Sequence, residues 1–186
     1  VALGPGLGRS DDAAAEVREL VRALEVPLVV DGDALWLLGT EVADVVGGRT
    51  APTVLTPHDG EFERLTGRVP GDDRIGAATA LAEHTGAVVL LKGPTTVVAD
   101  GGGTVLLVRA GGPRLATAGT GDVLTGIVAA FLACGAAPLR AAAAAAQLHG
   151  SAAALGPERG LIASDLIALL PQAWADLIDG TGSGRA

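Results

Sequence analysis

The sequence predicts an α/β layered fold on a mainly parallel sheet, and three observations carry that reading. Short unbroken apolar runs, PLVVD at 27–31, TVLT at 53–56 and AVVLLKG at 87–93, have the length and branched content of strands buried on both faces. Segments of helical periodicity lie between them. Beyond the third run a hairpin pattern leads into a helical end.

The elements follow in order. VALGPGLGRS at the start reads as a strand entering a loop. Ser10 is placed to cap a helix over 11–24, with Asp11 and Asp12 in its positive first turn and Val17, Leu20, Val21 and Leu24 at helical spacing. The 27–31 run ends at Asp31, with Asp33 just beyond, and 34–38 makes a short helix. After the second strand stops at Pro57, residues 61–65 start a helix that Gly67 ends, and 72–84 form another. TTVVAD and TVLLVR flank three glycines at 101–103, the pattern of a β-hairpin. LATAGTGD then feeds an apolar helix over 123–133. An Ala-rich helix spans 138–155, and Ser164 is placed to cap a last helix through Ile178, leaving 180–186 as a disordered tail. No linker divides the chain, so 1–179 reads as one unit.

Composition narrows the function. The 186 residues are 49% hydrophobic with a formal charge of −8, which argues against binding nucleic acid, because no basic stripe is available to neutralise phosphates. Two Phe, two Trp and no Tyr provide no base-stacking set. No apolar run reaches the ~20 residues that span a bilayer, and no basic n-region precedes an apolar one, so a soluble, cytoplasmic protein is expected. Cys134, the one cysteine, excludes an internal disulfide and is expected to be buried packing. With no Met and a start inside a strand, the chain reads as truncated at its N-terminus.

Three constellations could carry chemistry. AGTGD at 118–122 precedes an apolar helix: Gly119 and Gly121 let the backbone turn closely, so amides at the helix start can face an anion. Asp122 would repel a phosphate, but it fits as the acceptor of a proton from a hydroxyl attacking a phosphoryl group held by those amides. The competing reading is a simple cap and turn. KGPTT at 92–96 ends the third strand, where open parallel sheets bind ligands, and Lys92 is the only lysine in the chain. TPHDGE at 56–61 offers His58 to a substrate and Glu61 to Mg²⁺ through water, against a bland alternative of turn and first-turn residues. His84 and His149 fit helix positions and read as structural.

In sequence order, GPGLG at 4–8, VVDGDAL at 29–35, TPHDGEFERLTG at 56–67, VVLLKGPTTVVAD at 88–100 and ATAGTGDVLTGIVAAFLACG at 116–135 resemble the successive motifs of the ribokinase-like superfamily. Within it they resemble the ADP/ATP-dependent NAD(P)H-hydrate dehydratases, and HGSAA at 149–153 and ASDLI at 163–167 continue the likeness. His58, where sugar kinases of the superfamily usually carry Asn, favours that branch.

The resemblance implies a three-layer α/β/α sandwich lacking its N-terminal strands, and repair of hydrated NADH or NADPH with ADP or ATP as phosphoryl donor and Mg²⁺ as cofactor. It implies nucleotide contacts at Lys92, Gly93, Pro94, Thr95, Thr96 and the turn Gly119, Thr120 and Gly121. It places the hydrated dinucleotide against Gly6, Gly8, His58 and Asp122, with Asp122 as the base and Glu61 on the Mg²⁺ side. A homo-oligomer, tetrameric by resemblance, and a fused or separate epimerase are expected partners. The small-residue helices over 123–134 and 139–155 are candidates for packing between subunits. Two alternatives stay open: a kinase of a small hydroxylated metabolite, and an inactive nucleotide-binding fragment.

Overall fold

The computed structural model describes residues 1–180, so all of the expected tail except Gly180 lies outside the described residues. In chain order the elements are β1 (Ala2–Leu3), α1 (Asp11–Ala23), β2 (Leu28–Val30), α2 (Gly32–Leu38), α3 (Val42–Val46), β3 (Thr53–Leu55), α4 (Asp59–Thr66), α5 (Arg74–Thr85), β4 (Val88–Leu91), β5 (Thr96–Ala99), β6 (Val105–Val108), α6 (Thr120–Ala133), α7 (Pro138–Leu155) and α8 (Ala163–Ile178).

The six strands form one sheet in the order β1-β2-β3-β4-β5-β6. β1 to β4 pair in parallel, and β5 and β6 add antiparallel as a hairpin. Strands laid down in sequence order require every parallel crossover to pass over the same face, since these connections share one hand. The packing agrees. Val21 of α1, Leu38 of α2, Val42 of α3, Phe62 of α4 and Leu81 of α5 share one core with Leu28, Val30, Leu55, Val89 and Leu91. The alternate strand residues Val29, Val54, Val88, Leu90 and Val98 join a second core with Val128, Ala145 and Leu166 of α6, α7 and α8. Both faces of β2, β3 and β4 are therefore buried, which is why those strands read as unbroken apolar runs.

Local signals explain most boundaries. Ser10 Oγ accepts from the Ala13 N–H at 3.2 Å, and Gly67 ends α4 in the left-handed region. The hairpin turn is closed by Asp100 Oδ1, which accepts from Gly102 and Thr104 N–H at 2.9 Å each.

Three expectations need correction. α6 begins at Thr120 rather than 123, because Gly119, left-handed at φ +85, already turns the chain into it. Ser164 lies inside α8; the start of that helix is closed instead by the Asp165 carboxylate, which accepts from Ile162 N–H at 3.2 Å. Cys134 caps the C-terminal end of α6, where the apolar face has run out, and is exposed. Of the small residues of α7, Ala141, Ala142, Ala145, Ala146, Ala152 and Ala153 are buried between the sheet and its neighbouring helices, while Ala144 and Ala154 are exposed. α3 was not expected, since five residues are too few to show a period.

Candidate functional site

Parallel strands bring their C-terminal ends to one edge of the sheet. GPGLG after β1, Asp31 after β2, His58 after β3 and Lys92 after β4 therefore gather there, and α6 starts at the same edge. The centre is a chain of charged contacts. Lys92 Nζ is 2.8 Å from Asp31 Oδ1 and 3.5 Å from Glu61 Oε2. The other Asp31 oxygen accepts from Thr125 Oγ1 at 2.6 Å. Asp31 is only 2% exposed, so its charge is carried by these two partners from β4 and α6.

His58 and Glu61 are tied to each other. Nδ1 of His58 accepts from Gly60 and Glu61 N–H at 3.1 and 3.2 Å, and Glu61 Oε2 accepts from His58 N–H at 2.9 Å, a reciprocal cap on α4. His58 Nε2 lies 3.3 Å from Glu61 Oε1. Arg74 donates to the Lys92 carbonyl at 2.7 Å and pairs with Asp59 at 2.8 Å. A Cβ on Gly93 would come within 2.6 Å of that guanidinium, which would have to shift.

Beside this network is a cavity of about 830 Å³. Lys92, Gly93, Pro94 and Thr96 form one wall, His58 another, and Thr120 and Gly121 of the first α6 turn a third; His149 and Leu115 are also on it. Thr95 and Gly119 are not among its lining residues. The Thr120 hydroxyl bridges the carbonyls of Leu115 and Thr117 at 2.7 and 2.8 Å, closing the loop that enters α6. Arg114 ties that loop to the end of α7, donating to the Ala153, Ala154 and Gly156 carbonyls. Gly121 is helical, so only Gly119 uses the freedom expected of both glycines.

Asp122 is exposed and is not among the residues lining this cavity. It borders a second, apolar groove of about 640 Å³ between α6 and α8, with Ile127, Phe131 and Trp174. Consecutive residues of the first turn of α6 thus line different hollows, Thr120 and Gly121 the cavity and Asp122 the groove. Gly6 and Gly8 lie in the exposed loop after β1, and Gly8 N–H donates to Asp33 Oδ2 at 3.1 Å. Arg9 bonds the other Asp33 oxygen and holds its carboxyl below the usual range. Gly4 is the glycine the loop needs most: a Cβ there would meet the Asp31 carbonyl at 1.7 Å.

Three residues of the site escaped sequence reasoning. Asp31 was seen only as a strand end, Thr125 not at all, and His149 as structural. His149 is buried, and its Nε2 lies 2.8 Å from the Thr120 carbonyl. Burial, aided by the Lys92 charge, pushes its pKa down to about 4. Among the described residues no cluster of three or more His, Cys, Asp or Glu side chains could hold a metal by itself, and no helix is long and apolar enough to cross a membrane.

Comparison with known proteins agrees with this geometry. The chain is 44% identical, along its whole length, to the bifunctional NAD(P)H-hydrate repair enzyme Nnr of Salinibacter ruber, of which it covers 34%. It is 53% identical over 133 residues, 72% of the chain, to the Nnr of Mycobacterium tuberculosis, covering 28% of that protein. The chain thus spans about a third of the length of these curated relatives. The crystal structure of the ADP/ATP-dependent NAD(P)H-hydrate dehydratase from Bacillus subtilis, co-crystallised with ATP and Mg²⁺, superposes with a TM-score of 0.81 at 32% identity, covering 94% of this chain and 63% of that one. A hydroxyethylthiazole kinase from Pyrococcus horikoshii, 18% identical with a TM-score of 0.58, shares the fold alone. A family model described as NAD(P)H-hydrate dehydratase matches residues 1–172, and the chain, ribokinase-like in fold, belongs to that family.

Proposed function

We propose that the protein of which this chain forms the ribokinase-like part dehydrates the S epimer of hydrated NADH and NADPH, using ADP or ATP as phosphoryl donor. The single observation that carries this reading is the gathering of Lys92, His58 and the first turn of α6 around one cavity at the C-terminal edge of the parallel strands. The nucleotide phosphates are assigned to Lys92, Thr120 and Gly121, and the hydroxyl to Asp122, the next residue of the same turn.

Hydroxide is a poor leaving group and phosphate a good one, so the reaction needs the ring hydroxyl converted before it can depart. Asp122 takes the hydroxyl proton as that oxygen forms a bond to the terminal phosphorus of the nucleotide. The bond from that phosphorus to the bridging oxygen breaks, releasing AMP from ADP or ADP from ATP. Amides at the start of α6 and the Lys92 ammonium balance the charge spread over the transferring oxygens. The ring carbon–oxygen bond then breaks, inorganic phosphate leaves, and loss of a proton from the adjacent carbon restores the dihydronicotinamide.

The donor set fits Mg²⁺ in one way. Glu61, a buried carboxylate beside Lys92, would hold the ion through water. When bound, the ion would neutralise phosphate charge. Lys92, Gly93, Pro94 and Thr96 line the cavity and, with Thr95, are assigned to the nucleotide. His58, which also lines that cavity, and the Gly6 and Gly8 loop are assigned to the dinucleotide. An epimerase acting on the other epimer is the natural companion activity, and a homo-oligomeric, cytoplasmic enzyme is the expected setting.

The test is recovery of dihydronicotinamide absorbance when the protein, Mg²⁺ and ADP or ATP are added to enzymatically hydrated NADH, with nucleotide products followed in parallel. Recovery matched by AMP or ADP formation supports the reading and names the donor. A stable phosphorylated product without recovery would assign a small-metabolite kinase. Saturable nucleotide binding with neither outcome would leave an inactive binding fragment.

A further inference from the structure

His149 belongs to no step above, yet it is the one buried histidine on the wall of the nucleotide cavity. It projects from α7, and its contact crosses 29 residues of sequence to the α6 turn. The approach of α7 depends on the next residue. A Cβ on Gly150 would come within 2.4 Å of the Ala110 backbone, so glycine there lets the helix close on the loop leading to α6. The partner of Nε2 is a carbonyl, which can only accept, so Nε2 carries the proton and donates. Burial and the nearby Lys92 ammonium keep the ring neutral, which fixes that single tautomer.

The Thr120 carbonyl belongs to the same turn whose amides would meet the phosphates. Its orientation sets that of the Gly121 N–H, because the two share one planar peptide unit. The Thr120 hydroxyl pins the other side of the residue to Leu115 and Thr117. Thr125 anchors the next helical turn to Asp31.

We propose that His149 is a positioning residue: by holding the Thr120 carbonyl it aims the Thr120–Gly121 peptide at the phosphates of a bound nucleotide. This rests on the nucleotide reading above for its ligand, but the positioning itself does not require one.

Three variants test it. H149Q places an amide nitrogen close to the position of Nε2 and keeps the donor, H149L removes it at similar volume, and H149N keeps polarity but cannot reach. In ligand-free protein, amide hydrogen exchange at residues 119–122 should be faster in H149L and H149N and restored in H149Q. With ligand, H149L and H149N should bind AMP about tenfold more weakly and H149Q within about threefold of the parent, as expected for one lost hydrogen bond. Adenosine, which lacks the phosphate, should bind all four proteins equally. Unchanged turn exchange in both H149L and H149N, or equal losses for AMP and adenosine, would overturn the proposal. Failure of the parent to bind AMP would instead sink the nucleotide reading, while the exchange measurement still decides the role of His149.

Discussion

Lys92 Nζ stands 2.8 Å from Asp31 Oδ1, while the second oxygen of that carboxylate takes the Thr125 hydroxyl at 2.6 Å. One buried carboxylate thus fixes the cation of β4 and the first turns of α6 with respect to each other. The lysine on the cavity wall is held in place by a residue outside that wall.

Asp31→Asn tests that arrangement. It leaves Lys92 with Glu61 as its near anion and replaces one good acceptor by an amide. Removing one partner of a buried pair costs ~3–5 kcal/mol, and since Lys92 is one-fifth exposed and can be hydrated, we expect about 2 kcal/mol. Thermal unfolding should fall by roughly 4–8 °C. An unchanged midpoint together with unchanged nucleotide affinity would remove Asp31 from the account.

His58 has two jobs that a pair of substitutions separates. As the cap of α4 its Nδ1 serves two amides, and Asn can do the same, so His58→Asn should cost under about 0.5 kcal/mol while His58→Ala costs about 1 kcal/mol in denaturant unfolding. Asn lacks the second ring nitrogen, Nε2, which lies 3.3 Å from Glu61 Oε1. His58→Asn should therefore raise the KM for the hydrated dinucleotide more than that for ADP, and equal effects on both would make His58 a cap only.

Asp122 is exposed and directly follows Thr120 and Gly121, which line the cavity. Asp122→Asn should abolish turnover, a loss of about 10²-fold or more for a general base, with AMP affinity within about threefold. Titration by calorimetry reads the second quantity. Turnover equal to the parent would end the proton-acceptor role.

The parts of this architecture legible in the sequence are those written in neighbouring residues. The buried strands showed as apolar runs because both faces are covered, and Ser10 and Gly67 marked their helix ends with their own chemistry. Chain order alone puts the ends of parallel strands on one edge, which is why Lys92, His58 and the Thr120–Gly121 turn line one cavity, with Asp122 outside its lining. The Asp31–Lys92 pair spans 61 residues and leaves no local pattern. His149 was hidden for a related reason: in an Ala-rich helix a single histidine looks incidental, and its partner is a backbone carbonyl that has no signature. The available signal was a lone ionisable side chain among small apolar ones, followed by a glycine. Cys134 was misplaced because FLACG is apolar as a string, although its end lies past the last covered turn of α6.

Burial of His149 also makes stability depend on pH. The folded chain binds a proton on this ring only near pH 4, whereas the ring ordinarily does so at 6.5. Between those values the unfolded chain carries more protons, so stability rises with pH there. The contribution is complete above about pH 6.5 and is lost as pH falls toward 4, roughly 3 kcal/mol in all. In denaturant unfolding, the parent should lose about 2 kcal/mol more than H149Q on passing from about pH 8 to about pH 5, because Gln does not titrate. Parallel pH profiles for the two proteins would mean that the ring takes up its proton without cost, and the neutral donor assigned to Nε2 would fail with it.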